Sequence, residues 1–213
     1  MEFAQLLRLV GEEPLFETAL LLAGEVSPAN VRRQLSRWTR AGRLLQLRRG
    51  LYTLAPPFQK VKPHPFLVAN RMVRGSYVSC QSALAFYGLI PEYTPVVVSV
   101  TTARPARWQT SCGAFEFRHI QAGWLAGYRR LELGGGQAAF VAAPEKALLD
   151  LIYLQPEADH PQWLDALRLQ NLERLDLNAL REWALRSGKP KLRRAAAYIE
   201  SLAQAEAQEY ETL

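Results

Sequence analysis

The chain has 213 residues, of which 49% are hydrophobic and 22% charged. This is the balance of an ordinary globular protein and excludes the disordered and fibrous classes. The length suits either one large domain or a small module followed by a larger one. The formal net charge of +6 is consistent with a polyanionic partner and equally with a merely soluble basic protein.

The positive charge is concentrated in one stretch of the chain. No acidic residue occurs between Glu25 and Glu92, and this acid-free segment contains eleven basic residues. They are Arg32, Arg33, Arg37, Arg40, Arg43, Arg48, Arg49, Lys60, Lys62, Arg71 and Arg74. The remainder of the chain carries a net negative charge, so the basicity is local, as expected for a surface that binds a polyanion.

The sequence gives no sign of export, of a membrane span or of a metal site. No signal-peptide pattern opens the chain, and no apolar run approaches the roughly 20 residues that a membrane span needs. Cys80 and Cys112 lie outside any CxxC spacing, and three histidines are scattered without metal-ligand spacing. We therefore expect a cytoplasmic protein with reduced thiols, no cofactor or metal, no membrane partner and no enzymatic activity.

The first elements in chain order are two short helices. Apolar residues recur at helical spacing over residues 3–10, which Gly11 closes. Pro14 suits the first turn of a second, weakly amphipathic helix through Leu22, which Gly24 would end.

The strongest helix signal lies at SPANVRRQLSRWTRAG. Ser27 is a candidate cap and Pro28 suits the first helical position, so the pattern predicts a helix over residues 28–41 that Gly42 ends. A step of 100° per residue predicts an inward face of Val31, Leu35 and Trp38. The same step predicts an outward face of Ala29, Asn30, Arg33, Ser36, Arg37 and Arg40.

A β-hairpin is predicted to follow this helix. RLLQLRR and LYTLA alternate like short strands, and Arg49 and Gly50 form the turn between them. Helix, helix, helix and hairpin is the order of a winged helix-turn-helix, with the hairpin as the wing. We assign this domain to residues 1–57, since Pro56 and Pro57 continue neither a helix nor a central strand.

The rest of the chain, residues 64–213, is predicted to be a mixed α+β domain that ends in helices, so the whole protein is α+β. Ser79 is a candidate cap, and Lys146 and Asp150 form an i,i+4 pair on a helix where Glu145 complements the dipole. The apolar face of the last helix packs either internally or against a second copy. The predicted helices cover residues 65–74, 80–88, 144–154, 161–169, 176–187 and 190–207, and the predicted strands cover residues 94–102, 114–120, 130–133 and 138–142.

The helix over residues 28–41 offers the chemistry that base reading needs. Asn30 can pair with adenine, and Arg33 or Arg37 with guanine, in the major groove of double-stranded DNA. The alternative is a solvated cationic face, but the helix lacks the interspersed Glu residues of a merely soluble helix. The candidate DNA-binding residues are Ser27, Asn30, Arg33, Ser36, Arg37 and, mainly for phosphates, Arg40, Arg43, Arg48 and Arg49.

Three segments carry a resemblance to a known family. They are SPANVRRQLSRWTRAGRLLQLRRGLYTL, YVSCQSALAFYGLIPEYTPVVVSVTT and APEKALLDLIYL, in this order. Together they resemble the AbiEi antitoxins of type IV toxin–antitoxin and abortive-infection systems. The resemblance implies a winged-helix repressor that binds inverted repeats in its own promoter, and a second domain that counters a nucleotidyltransferase toxin without having to bind it. It places Asn30, Arg33, Arg37, Arg48 and Arg49 on the family's basic DNA-binding face.

Two other functions are compatible with the sequence. A stand-alone transcriptional regulator with a ligand-sensing or dimerising second domain fits the same pattern. A nuclease is the third hypothesis, based on Glu116 and Arg118 in one strand near a DNA-binding module. A half-buried strand that alternates polar and aromatic residues explains these two residues better.

Overall fold

The structure is a computed structural model that describes residues 1–23 and 26–211. It confirms the α+β class. The N-terminal unit, residues 1–57, contains a three-stranded antiparallel sheet, and the second unit, residues 64–211, contains a six-stranded mixed sheet with helices packed against it.

In the N-terminal unit, two α-helices and three short strands enclose a small hydrophobic core. The elements are α1 (Phe3–Val10), β1 (Phe16–Glu17), a 3₁₀ helix (Thr18–Leu22), α2 (Pro28–Arg40), β2 (Leu44–Arg48) and β3 (Leu51–Leu54), with the sheet order β1-β3-β2. The helix α2 contributes Val31, Leu35 and Trp38 to this core, as its inward face predicted. The hairpin β2–β3 is also where the sequence predicts it.

The predicted second helix is wrong. Phe16 and Glu17 pair with Tyr52 and Leu51 of β3 as a third strand, and a 3₁₀ helix takes up the residues that follow. The amide of Thr18 donates to the Gly50 carbonyl at 2.9 Å, which extends this pairing. A weakly amphipathic segment thus gains more from the edge of a sheet than from helical hydrogen bonds of its own. Gly24, the predicted end of that helix, lies outside the described residues.

The second unit is built around one sheet with the strand order β6-β7-β5-β4-β9-β8, in which β5 runs parallel to β7 and β4 parallel to β9. Its strands are β4 (Tyr77–Val78), β5 (Val96–Thr101), β6 (Ala106–Thr110), β7 (Gly113–His119), β8 (Tyr128–Glu132) and β9 (Ala138–Ala142). Its helices are α3 (Pro65–Met72), α4 (Cys80–Phe86), α5 (Pro144–Leu154), α6 (Pro161–Ala166), α7 (Leu177–Arg186) and α8 (Pro190–Glu211).

The predicted helices and strands of this unit are present, with ends that differ by a few residues, but two strands were missed. The strand β4 has only two residues, and the alternation in β6 carries Arg107 and Gln109 rather than a strong apolar pattern. The apolar face of α8 packs internally, since Leu192, Ala195 and Ile199 are fully buried in the core of the same chain.

A polar cluster lies in the centre of the second unit. Lys146 and Asp150 of α5 form the predicted i,i+4 ion pair, but both side chains are 0% exposed. Asp150 also accepts hydrogen bonds from Ser79 Oγ at 2.7 Å and from Tyr77 Oη at 3.0 Å, and Lys146 donates to Tyr77 Oη at 2.8 Å. Burial lowers the pKa of Lys146 and raises the pKa of Asp150, and the mutual attraction of the pair opposes both shifts.

Neither predicted serine cap forms. Ser79 precedes α4 but makes no side-chain capping bond, and its hydroxyl donates to Asp150. Ser27 occupies the N-cap position of α2 without a side-chain capping bond, and Pro28 at the first helical position needs no acceptor for its nitrogen.

The two units share apolar contacts. Leu15, Leu47 and Leu51 are buried in the core of the second unit, although they belong to the N-terminal one. The pairing of β2 with β3 shifts between Gln46 and Arg48, so Leu47 lies in a β-bulge. Successive side chains of a strand point to opposite faces, so Leu44 packs in the N-terminal core while Leu47, three residues on, packs against the second unit.

The buried cluster leads to a prediction about stability. We expect Asp150→Ala to lower the free energy of unfolding by about 3–5 kcal/mol, because it leaves the Lys146 ammonium buried without its counter-ion. Urea unfolding followed by circular dichroism measures this change. The control is Asp176→Ala, which removes the carboxylate that caps α7 through Ala179 N at 3.0 Å and should cost about 1 kcal/mol. Equal losses in the two variants would contradict the assigned role of Asp150.

Candidate nucleic-acid interface

The helix α2 has one buried and one exposed face. Val31, Leu35 and Trp38 are at most 5% exposed and hold the helix against α1 and the sheet. All residues of the predicted outward face are exposed to solvent, namely Ala29, Asn30, Arg33, Ser36, Arg37 and Arg40. The predicted orientation of the helix is therefore confirmed, and its solvent face contains no acidic residue.

The first two turns of α2 carry the side chains best suited to base edges. Arg33 Nη2 donates a hydrogen bond to Asn30 Oδ1, so these two exposed side chains are held side by side. Together with Arg37 they line an open groove whose apolar wall is formed by Leu21 and Val26. Ser27 also lies in this groove. The structure thus brings together four of the predicted site residues.

The remaining predicted residues have different surroundings. Arg40 and Arg49 are exposed. The Arg43 guanidinium lies 5.0 Å from the centre of the Phe3 ring, a cation–π contact within the N-terminal unit. Arg48 is partly buried, and its Nη2 donates to the Arg71 carbonyl at 3.4 Å. Arg48 is therefore tied to the second unit rather than extended into solvent from the tip of the hairpin.

Two further arginines lie beside the hairpin and were missed as site residues. Arg74 Nη2 contacts Glu17 Oε2 at 2.5 Å, and Arg71 Nη1 lies 4.0 Å from Glu17 Oε1. Both belong to the second unit, just beyond the assigned winged domain. The sequence signal that could have found them is the acid-free segment, which continues to residue 91.

The strand that suggested a nuclease has a structural explanation. Glu116 of β7 pairs with Arg107 of the neighbouring strand β6 at 3.1 Å. Arg118 Nη2 donates to the Leu154 carbonyl at the end of α5, at 3.1 Å. Within the described part of the chain, no group of three or more His, Cys, Asp or Glu side chains is arranged to hold a metal ion.

The structure also gives His64 and the two cysteines structural surroundings. His64 caps α3, since its Nδ1 accepts from Phe66 N at 3.1 Å, and burial lowers its pKa. Cys80 is buried and Cys112 partly buried, and both are free thiols. Burial raises the pKa of both thiols, which makes each a poor nucleophile.

Comparison with known proteins gives a likeness of fold. The sequence matches no protein-family model and no curated protein. Among solved structures, the crystal structure of the RV2827C protein from Mycobacterium tuberculosis is similar, with a TM-score of 0.56 and 17% sequence identity. The match covers 93% of this chain and 76% of that one. This likeness therefore extends over both units. Across residues 1–23 and 26–211, no helix has the length and apolar character to span a membrane.

The different surroundings of Arg48 and Arg49 lead to a second prediction. We expect Arg48→Ala to lower the free energy of unfolding by about 1 kcal/mol, because it removes a hydrogen bond and a packed side-chain stem from the contact between the two units. Arg49→Ala removes the same charge from an exposed neighbour and should change stability by less than about 0.5 kcal/mol. Thermal and urea unfolding of the two variants check this difference. Indistinguishable stabilities would show that Arg48 does not hold the units together.

Proposed function

We propose that this chain is a DNA-binding repressor that reads double-stranded DNA with α2. The observation that carries the proposal is the division of this helix into a buried apolar face and an exposed face of Asn30, Arg33 and Arg37 without a carboxylate. A helix supported on one side by its own core can enter the major groove with the other side.

The chemistry of this face suits base reading. An arginine pairs bidentately with guanine O6 and N7, and an asparagine with adenine N6 and N7, each pair contributing about 1–3 kcal/mol of discrimination. In the free protein the Arg33 guanidinium is bound to the Asn30 side chain. Hydrogen bonds from these side chains to DNA bases replace this contact. Because both side chains are exposed, breaking the contact costs little free energy.

The surrounding charges suit the phosphate backbone. Arg40 is exposed at the end of α2 and Arg49 at the hairpin turn, and the whole acid-free segment is cationic. Positive charge without interspersed acidic residues attracts DNA of any sequence, whereas the side chains of α2 supply the preference for particular bases.

We further propose that the repressor acts as an antitoxin that controls its own operon and counters a nucleotidyltransferase toxin. The resemblance of three segments to AbiEi antitoxins supports this. The second and third segments meet in the buried cluster of Tyr77, Ser79, Lys146 and Asp150, so they form one core rather than independent motifs. Co-expression with a nucleotidyltransferase encoded directly downstream tests it, since rescue of growth is expected and continued toxicity would contradict it.

The DNA-binding proposal leads to a third prediction. Arg33→Ala/Arg37→Ala should abolish protection of the chain's own upstream DNA in footprinting, because it removes the guanidinium groups that face the bases. The fold should persist, since both residues are exposed.

The matched control is Arg186→Ala/Arg193→Ala, which removes two charges from α7 and α8. This variant should footprint like the wild-type protein. Unchanged protection by the Arg33→Ala/Arg37→Ala variant would show that α2 is not the recognition helix. Equal losses of protection in both variants would show that the lower net charge alone weakens binding.

A further inference from the structure

The carboxylate of Glu17 links the two units through arginines. Its Oε2 lies 2.5 Å from Arg74 Nη2, and its Oε1 lies 4.0 Å from Arg71 Nη1. The Glu17 side chain is 18% exposed, whereas the side chains of Arg71 and Arg74 are 54% and 74% exposed. The carboxylate is therefore mostly covered, while both guanidinium groups remain open to solvent on their other side.

The polar groups of this junction are incompletely paired. Glu17 Oε1 is buried without a hydrogen bond in the described structure, and so is Arg48 Nε. Arg48 belongs to the same junction, because its Nη2 donates to the Arg71 carbonyl. Buried polar atoms are nearly always hydrogen-bonded in stable cores, so two unpaired atoms at one place leave this junction with unused hydrogen-bonding capacity.

The junction lies beside the turn of the hairpin. Glu17 is paired with Leu51 of β3, and the next residue, Thr18, donates its amide to Gly50 of the turn. Arg71 and Arg74 therefore stand next to the segment that carries Arg48 and Arg49. The cationic surface thus continues from the hairpin onto the end of α3.

Glu17 has a special position on this surface. In the part of the chain that the structure describes, no other carboxylate forms an ion pair with an arginine of the acid-free segment. A carboxylate and a DNA phosphate accept the same hydrogen bonds from a guanidinium group. The two acceptors would therefore compete for Arg71 and Arg74.

We propose that Arg71 and Arg74 form a DNA-phosphate site beside the hairpin, and that Glu17 occupies this site in the free protein. The inference rests on the proposed function, because it requires a duplex bound on α2. When the backbone arrives, a phosphate displaces the Glu17 carboxylate, which is left without its partners. Glu17 thereby lowers the affinity for the backbone without altering the preference among sequences.

The first test is Glu17→Gln. The variant frees both arginines, so binding to operator and to unrelated duplex should tighten equally, by about tenfold at low salt, with a salt dependence steeper by about one phosphate contact. Glu12→Gln is the matched control: it removes the same charge from the same unit at an 85% exposed side chain that pairs with Lys60 at 3.6 Å. It should leave the affinity within about twofold of wild type.

The second test uses the arginines, whose exposure makes their replacement safe for folding. Arg71→Ala and Arg74→Ala should each weaken binding equally on all sequences and reduce the salt slope by about one unit. In the Arg71→Ala/Arg74→Ala background, Glu17→Gln should change the affinity no more than Glu12→Gln does. Circular dichroism and thermal unfolding establish that each variant is folded.

The possible failures are distinguishable. If the wild-type protein binds no duplex, the proposed function fails and this inference fails with it. If substitutions in α2 abolish specific binding while Glu17→Gln behaves like Glu12→Gln, only the phosphate site is overturned. The same holds if the arginine variants bind like wild type, or if the effect of Glu17→Gln persists without the two arginines.

Discussion

Leu15, Leu47 and Leu51 belong to the N-terminal unit but are buried in the hydrophobic core of the second one. Burying a leucine side chain contributes about 1.5–3 kcal/mol, so these contacts hold the hairpin against α3 and the main sheet. The alternation of side chains along its strands lets one hairpin contribute to two cores, since Leu44 and Leu54 pack in the N-terminal core, and Leu47 and Leu51 in the core of the second unit. The position of the exposed face of α2 relative to the second unit depends on this apolar contact.

The apolar junction also determines which charges meet. It brings Glu17 of β1 to Arg71 and Arg74 at the end of α3, and it brings Arg48 to the Arg71 carbonyl. The cationic surface is therefore a property of both units. The same junction restrains Arg48 and leaves Arg49 exposed, so two adjacent arginines of the hairpin have different surroundings.

The second unit depends on a different kind of constraint. Its central ion pair of Lys146 and Asp150 is compensated by Tyr77 and Ser79, which lie on and next to the short strand β4. The Lys146 ammonium also lies 4.3 Å from the centre of the Trp124 ring. Such a buried network is stable only when every member is paired, which fixes β4 and α5 in one arrangement.

The sequence by itself determined the α+β class, the two faces of α2, the hairpin and the concentration of charge, because these depend on residue identity and on contacts between close neighbours. The i,i+4 spacing of Lys146 and Asp150 also predicted their ion pair. Only the tertiary structure decided that residues 16–17 form a strand, that this ion pair is buried, and that Glu17 meets Arg74 across 57 residues of sequence. The reason is physical: sheet pairing, burial and long-range ion pairs each depend on segments that the local pattern does not bring together.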